Sequence, residues 1–374
     1  MRKLAEIKKF FYTATRLEED VIFMSGIPFV SVVVPMYNSE KYIGELLDSV
    51  LNQTLQNFEL IVVDDCSTDK SCEIVESYEP KFDGKLILMK SSAANEGAGA
   101  KRNRGLEMSI GKYVFFMDAD DVLTKTALEE MYNLAEEYQA EVVYCDRYYM
   151  SSGTGEGFQK NIHLADDRVQ SGDAVKIPTW VAYDLKERIQ DWMNYRFAMP
   201  PWLKLARRNF LIENDIKFHP LKHQNDFGQT LELLFTAKKF LRIPNPCYIR
   251  RMHDNSLSSA PKSLEQILRR WLEKTIRGTK MLNDFIEKLD FFKENPEYKH
   301  LVLNWAIVYD FRSLWYVHND VYRQTSPHVV YEKIHEIFDE QLGEHSVLIS
   351  CLLSNTFTLT KMYRECQEKL KSLH

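Results

Sequence analysis

Paired cysteines are missing from this chain. Its six cysteines, Cys66, Cys72, Cys145, Cys247, Cys351 and Cys366, form no CxxC pair and no tight cluster with histidine. That spacing excludes a zinc ribbon and offers no disulfide framework, so reduced thiols in a cytosolic protein are the expectation. Also missing is an excess of positive charge: 48 Lys and Arg stand against 54 Asp and Glu, a net charge of −6. No broad surface is therefore available to neutralise phosphates, and nucleic acid is not an expected partner. Long apolar runs are absent too. The most apolar stretch, Val21 to Met36, is broken by Gly26, Pro28 and Pro35 and falls short of the roughly 20 residues that cross a bilayer as a helix. Met1 to Asp20 carries Leu4, Ile7, Phe10 and Phe11 at helical spacing among charged residues, without the apolar core or cleavage site of a secretory signal. A helical extension over 1–28 is expected.

What is present is enough apolar matter for a large core. With 374 residues, 45% hydrophobic and 27% charged, one sizeable domain with an appended one is the natural division. From Phe29 to Asp146, short β-branched runs alternate with amphipathic stretches. Val30 to Val34, Phe58 to Val63, Lys85 to Met89, Tyr113 to Met117 and Glu141 to Cys145 read as strands. Tyr42 to Gln53, Asp69 to Tyr78, Gly99 to Met108 and Lys125 to Tyr138 read as the helices between them. The fold class is then α/β: a mostly parallel, Rossmann-like sheet with helices on both faces. A Ser/Gly-rich stretch within 147–175 reads as a mobile loop or irregular hairpin. Residues 261–374 are helical nearly throughout and read as a separate C-terminal α-helical domain. The expected domains are 29–260, with halves 29–146 and 147–260, and 261–374.

Chemistry gathers at the carboxyl ends of the strands, where open α/β sheets bind ligands. Asp118-Ala119-Asp120 follows an apolar strand and suits Mg²⁺ or Mn²⁺ held together with phosphates. An Asp-rich turn closing with Asp121 also suits a helix cap, and the triplet alone leaves both readings open. The other strand ends weigh toward a ligand. Pro35-Met36-Tyr37-Asn38 ends the first strand and Asp64-Asp65 the second. A carboxylate there accepts a uracil N3–H, and Tyr37 offers a stacking face. Ser67 and Thr68 read first as an N-cap for the next helix. Asn95-Glu96-Gly97-Ala98-Gly99-Ala100 then brings backbone close to a ligand, while Lys101, Arg102 and Arg104 supply cations for a diphosphate.

Taken in order, Val30 to Asn38, Gln53-Thr54, Phe58 to Asp65, Asn95-Glu96-Gly97 through Arg102-Asn103-Arg104-Gly105, and Asp118-Ala119-Asp120 resemble family 2 glycosyltransferases of GT-A fold. The resemblance is strong over 29–146 and continues weakly to about Ser259. It implies inverting transfer of a sugar from a nucleoside diphosphate donor with Mn²⁺ or Mg²⁺. Pro35, Tyr37 and Asn38 then line the base pocket, and Asp65 reads the base. Asn95, Gly97 and Arg102 lie along the uridine and diphosphate. Asp118 and Ala119 meet ribose or sugar, and Asp120 binds the metal. In His223-Gln224-Asn225-Asp226-Phe227, Asp226 takes the place of the catalytic base, with Asn225 where the family carries an acid. Trp202, in Pro201-Trp202-Leu203-Lys204-Leu205, stands as an apolar wall on the acceptor side or as core. His253, in the segment Cys247 to Ser258, reaches toward metal or diphosphate.

The acceptor implied is a glycan or a lipid-linked sugar, with cell-surface polysaccharide synthesis on the cytoplasmic side. Two other readings compete. A sugar-nucleotide pyrophosphorylase needs a Gly-x-Gly-x-Arg loop after the first strand, which Pro35 to Ser39 is not; a silent nucleotide-sugar binding module would keep the pocket and lose turnover. In the tail, Arg269, Arg270, Lys274 and Arg277 lie close to Ile267, Leu268, Trp271 and Leu272. That pattern fits a peripheral membrane helix, a dimer contact, or the solvated face of a bundle helix.

Overall fold

The computed structural model describes residues 26–91, 96–165, 174–219, 221, 225–253, 263–317 and 326–342, with scattered residues beyond. Nearly all of the expected extension over 1–28 lies outside them. The described residues fall into two compact units, one within 1–220 and 229–251, the other within 221–228 and 252–374.

The first unit is built on an eight-stranded sheet. Strand β1 (Val30–Met36) is buried along its length except at Pro35, and β2 (Phe58–Asp64) is buried throughout. Strands buried on both faces read as continuous apolar runs, which is why these two are plain in the sequence. β1 pairs in parallel with β2, from Val30 opposite Phe58 to Met36 opposite Asp64, and with β4 (Tyr113–Phe116) on its other side. With β3 (Leu86–Lys90), the order β3-β2-β1-β4 reverses direction at β1 and opens a crevice between the ends of β1 and β4. Beyond β4 the order continues β10 (Lys204–Arg207), β6 (Val142–Cys145), β11 (Phe240–Ile243) and β9 (Thr179–Trp180). β10 runs antiparallel to both β4 and β6, so the expected mostly parallel sheet is parallel in its first four strands and mixed beyond.

Helices flank this sheet. In α1 (Ile43–Leu51), Ile43, Leu46, Leu47 and Val50 fall on one stripe and are fully buried. α2 (Ser71–Phe82), α3 (Ala98–Met108) and α4 (Ala127–Glu137) follow the successive strands. α3 lies so close to β1 that a Cβ on Gly105 would sit 2.3 Å from Val33 Cγ1.

A second sheet has the order β5 (Val122–Leu123), β12 (Tyr248–Met252), β7 (Tyr149–Ser152) and β8 (His163–Leu164). Of the two readings of the Ser/Gly-rich stretch, mobile loop or irregular hairpin, the structure has the second: β7 and β8 pair antiparallel, Tyr149 opposite Leu164. β7 and β8 enclose α5 (Gly155–Lys160), whose Phe158 is fully buried against Val122 and Ile249; one large apolar side chain anchors an otherwise polar segment. α6 (Leu185–Met193), α7 (Arg208–Glu213) and most of α8 (Asp226–Thr236) complete the unit.

The second unit is helical: α9 (Leu264–Glu273), a π-turn over Lys274–Gly278, α10 (Thr279–Ile286), α11 (Asp290–Glu294), α12 (Pro296–Val317) and α13 (Pro327–Leu342). Ile267 and Leu268 of α9 are each 1% exposed, Leu282, Ile286, Val302 and Ile334 are likewise buried, and α9 packs against α12 and α13. This corrects the membrane-facing reading at these two residues, because their apolar surface is already covered within the bundle.

Candidate active site

Three turns meet at the carboxyl ends of β1, β2 and β4, and side-chain bonds fix them to one another. In the β1 turn Tyr37 is 55% exposed and Asn38 holds a left-handed backbone with φ of 47°, a conformation that asparagine tolerates better than most residues. Asn38 N donates to Ser67 Oγ at 2.9 Å, and Asn38 Oδ1 accepts from Thr68 N at 2.8 Å. Ser67 and Thr68 thus brace the β1 turn instead of capping α2. The α2 entry is served by Asp69, which accepts from Ser71 N and Glu40 N, each at 3.0 Å. Burial opposes ionisation of Asp69, but these bonds and that of the Ser71 hydroxyl outweigh it and hold the carboxyl below its ordinary range.

After β2, Asp65 N donates to Met36 O at 2.8 Å, and the Asp65 carboxylate lies 3.0 Å from Lys101 Nζ. Lys101, only 2% exposed, also reaches Glu96 and Ser91 Oγ, each at 2.7 Å. Burial works against its charge, yet Glu96 and Asp65 raise the ammonium above its ordinary value. Sequence suggested Lys101 as a diphosphate cation; in the structure two carboxylates already neutralise it, and its role is to hold Asp65. Gly97 precedes α3 at φ of 84°, where a Cβ would be strained. Asn95 lies outside the described residues.

One residue further along α3, Arg102 Nη2 lies 2.5 Å from Asp118 Oδ1, and its guanidinium sits 5.2 Å from the centre of the Phe218 ring. The next residue, Asn103, exchanges two 2.8 Å hydrogen bonds with the backbone of Phe218. A helix turns about 100° per residue, so three consecutive side chains serve three different segments.

The turn after β4 is held from behind. Tyr248 OH accepts from Asp118 N at 3.0 Å and donates to Asp121 Oδ2 at 2.7 Å. Arg251 N donates to Asp121 Oδ1 at 2.6 Å, and Arg251 Nε to the Asp120 carbonyl at 2.7 Å. Asp121, a candidate cap in the sequence, is buried and bound to β12, clear of the α4 entry. Burial, then the charges of Asp120 and Asp118, push its carboxyl well above the usual range; burial, then the charges of Asp121 and Asp118, raise the Tyr248 phenol. Trp202 is 5% exposed and stacks on Tyr248, centroids 4.5 Å apart and planes within 8°. Its place in the structure is packing behind this turn. Ala119 is buried between the two aspartates. Tyr248 and Arg251 escape sequence reasoning as supports because they lie more than a hundred residues from the turn they hold.

Among the described residues no group of three or more His, Cys, Asp or Glu is arranged to hold a metal by itself. Mg²⁺ and Mn²⁺ do not require one: one or two carboxylates completed by phosphates and water suffice. Asp118 and Asp120 stand two residues apart just after β4 and supply the hard carboxylate oxygens such a cation takes, so the pair fits a divalent cation chemically. Asp226 opens α8 and His253 follows β12, both in the second unit.

Residues 31–212 match the model of glycosyl transferase family 2. Similar proteins include the glycosyltransferase YibD of Escherichia coli (strain K12), 29% identical over 274 residues, covering 72% of this chain and 76% of that one. EpsJ of Bacillus subtilis (strain 168) is 30% identical over 241 residues, 63% of this chain and 64% of that one. Poly(ribitol-phosphate) β-N-acetylglucosaminyltransferase TarS of Staphylococcus aureus (strain MW2) is 28% identical over 247 residues; the match spans only 39% of its length. The crystal structure of S. aureus TarS 1–349 in complex with UDP-GlcNAc shares the fold, with a TM-score of 0.53, 22% identity, and coverage of 90% of this chain and 91% of that one. Through residues 31–212, the chain belongs to glycosyl transferase family 2.

Proposed function

We propose that this chain is an inverting glycosyltransferase that moves a sugar from a nucleoside diphosphate sugar, a UDP-sugar, to a hydroxyl of a glycan or lipid-linked acceptor in cell-surface polysaccharide synthesis on the cytoplasmic side. The observation that carries the reading is the pair of ion contacts from one helix, Lys101 to Asp65 and Arg102 to Asp118, which fasten carboxylates at the ends of β2 and β4 beside the Tyr37 turn. TarS, a poly(ribitol-phosphate) β-N-acetylglucosaminyltransferase whose complex holds UDP-GlcNAc, supports the choice of donor.

In this scheme Asp65, held in place by Lys101, accepts the N3–H of uracil. Tyr37 covers the ring face, with Pro35 and Asn38 shaping the pocket and Asn95 and Gly97 along the nucleotide. Asp118 and Ala119 border ribose and sugar. Asp120 would hold Mn²⁺ or Mg²⁺, which when bound supplies charge stabilisation to a departing diphosphate. Arg102 offers the leaving oxygens a fixed guanidinium from the protein itself. As the anomeric carbon becomes oxocarbenium-like, Asp226 accepts the proton of the attacking acceptor hydroxyl on the opposite face, and the configuration inverts.

The test is Asp226→Asn. Loss of a general base should lower transfer by about 10²–10⁴-fold while calorimetric UDP affinity in Mn²⁺ stays near wild type. A fully active variant removes Asp226 from the scheme. Wild-type protein that binds UDP yet releases none from a panel of UDP- and GDP-sugars with glycan acceptors would instead mark a silent binding module.

A further inference from the structure

We infer that the first unit carries a second carbohydrate site, separate from the nucleotide edge, in the cavity between α1 and the β7-α5-β8 excursion. The cavity encloses about 580 Å³, within the roughly 300–1,000 Å³ of small-molecule sites. Val122, Leu123 and Ile249 form a buried apolar floor, and Tyr149 and Ile162 extend it to the walls. Polar groups stand around this floor. Asp48, Asn52, Lys125 and Gln159 border the opening.

The walls are built in advance. Glu45 Oε1 accepts from Gly155 N at 3.1 Å, and Glu45 Oε2 meets the buried Arg251 guanidinium at 3.1 Å. Arg251 Nη1 also binds the Gly153 carbonyl, and its guanidinium lies 3.8 Å from the centre of the Phe158 ring. The excursion is thereby pinned to α1, and the space between them is a standing feature of the unit. Several rim groups keep unused bonding capacity: among the described residues, the Lys125 ammonium, the Gln159 amide and the Tyr149 hydroxyl have no partner.

The chemistry of this lining selects its ligand class. An aromatic and aliphatic floor suits the C–H face of a pyranose, and amide and carboxylate groups at the rim suit its hydroxyls. Charge argues against a phosphate-bearing guest. Glu45 is neutralised by Arg251, and the open Lys125 is balanced by Asp48, so the rim holds no surplus cation; the Lys101 and Arg102 cations belong to the other edge. A neutral oligosaccharide is the ligand that fits. Val122 to Lys125 continue directly from Asp121, so a glycan held here lies along the same chain segment as the acidic turn. Remote binding energy of this kind positions a polymeric substrate without touching the reacting atoms.

Calorimetric titration of the full chain with chitohexaose and with maltohexaose, each with and without saturating UDP, tests the site. At least one oligosaccharide should bind in both conditions. Asn52→Ala/Gln159→Ala, confined to the exposed rim, and Tyr149→Ala, in the wall, should each weaken that binding by about tenfold or more, as expected for lost hydrogen bonds or ring contact. UDP titrated into the same variants should bind as it does to wild type, which shows the fold intact. Failure of the wild type to bind either sugar, displacement of the sugar by UDP, or undiminished binding by both variants would each overturn the inference. A chain that binds oligosaccharide but no UDP would leave this site standing and sink the donor reading instead.

Discussion

The phenol of Tyr248 joins Asp118 to Asp121: it receives the backbone N–H of the first at 3.0 Å and donates to a carboxylate oxygen of the second at 2.7 Å. Tyr248→Phe keeps the ring that stacks on Trp202 and removes only this bridge. Two groups at the acidic turn then lose a partner, at a cost of about 1–3 kcal/mol each when buried. Urea denaturation should show a lower midpoint with an unchanged slope, and UDP affinity should fall with the loosened turn. A variant equal to wild type in both would show that the bridge contributes nothing.

Gly105→Ala tests the contact between α3 and β1. The added methyl meets Val33 Cγ1 at 2.3 Å, and Val33 is fully buried in a central strand, so one element must shift. Overpacking of this kind costs about 1–3 kcal/mol, and a displaced α3 carries Lys101 and Arg102 with it. The double variant Gly105→Ala/Val33→Ala should be more stable than the sum of the single effects predicts, because the clash disappears. Strict additivity by thermal denaturation would refute the clash.

Asp69 supplies a pH dependence with a definite sign. Its carboxyl is held below the unfolded value by bonds from Ser71 and Glu40 that outweigh burial. The native state therefore binds fewer protons, and the contribution is present above the unfolded carboxyl pKa and is lost as pH falls through the native one. Asp69→Asn should destabilise the protein by about 1 kcal/mol at neutral pH, and the difference between the two proteins should close in acid. A gap that stays constant as the pH is lowered into acid would assign the effect to packing.

The first four strands are legible in the amino-acid sequence because β1, β2 and β4 are buried on both faces and read as nearly continuous apolar runs, interrupted only by Ser31, Glu59 and the terminal Asp64. The acidic turn after β4 is legible for the same reason: Asp118 and Asp120 stand where an apolar run stops. Individual partners are not. Lys101 and Arg102 are adjacent and alike in charge, and only the rotation of α3 sends one to Asp65 and the other to Asp118. β10 and the two-residue strands β5, β8 and β9 are too short to show alternation, and tertiary pairing alone makes them strands. The Ser/Gly-rich excursion reads only as a loop or irregular hairpin, without its helix, because its one anchoring residue, Phe158, is a single apolar position among polar ones.

The placement of β10 governs the order in which the first unit is assembled. Strands β3, β2, β1 and β4 are complete by residue 116, but their union with β6, β11 and β9 runs through Lys204–Arg207. Until that segment leaves the ribosome, β4 and β6 each present a naked hydrogen-bonding border, open to strands from other chains. Closure of this seam is a late, long-range event, and substitutions along β10 should act on the yield of soluble protein before they act on catalysis.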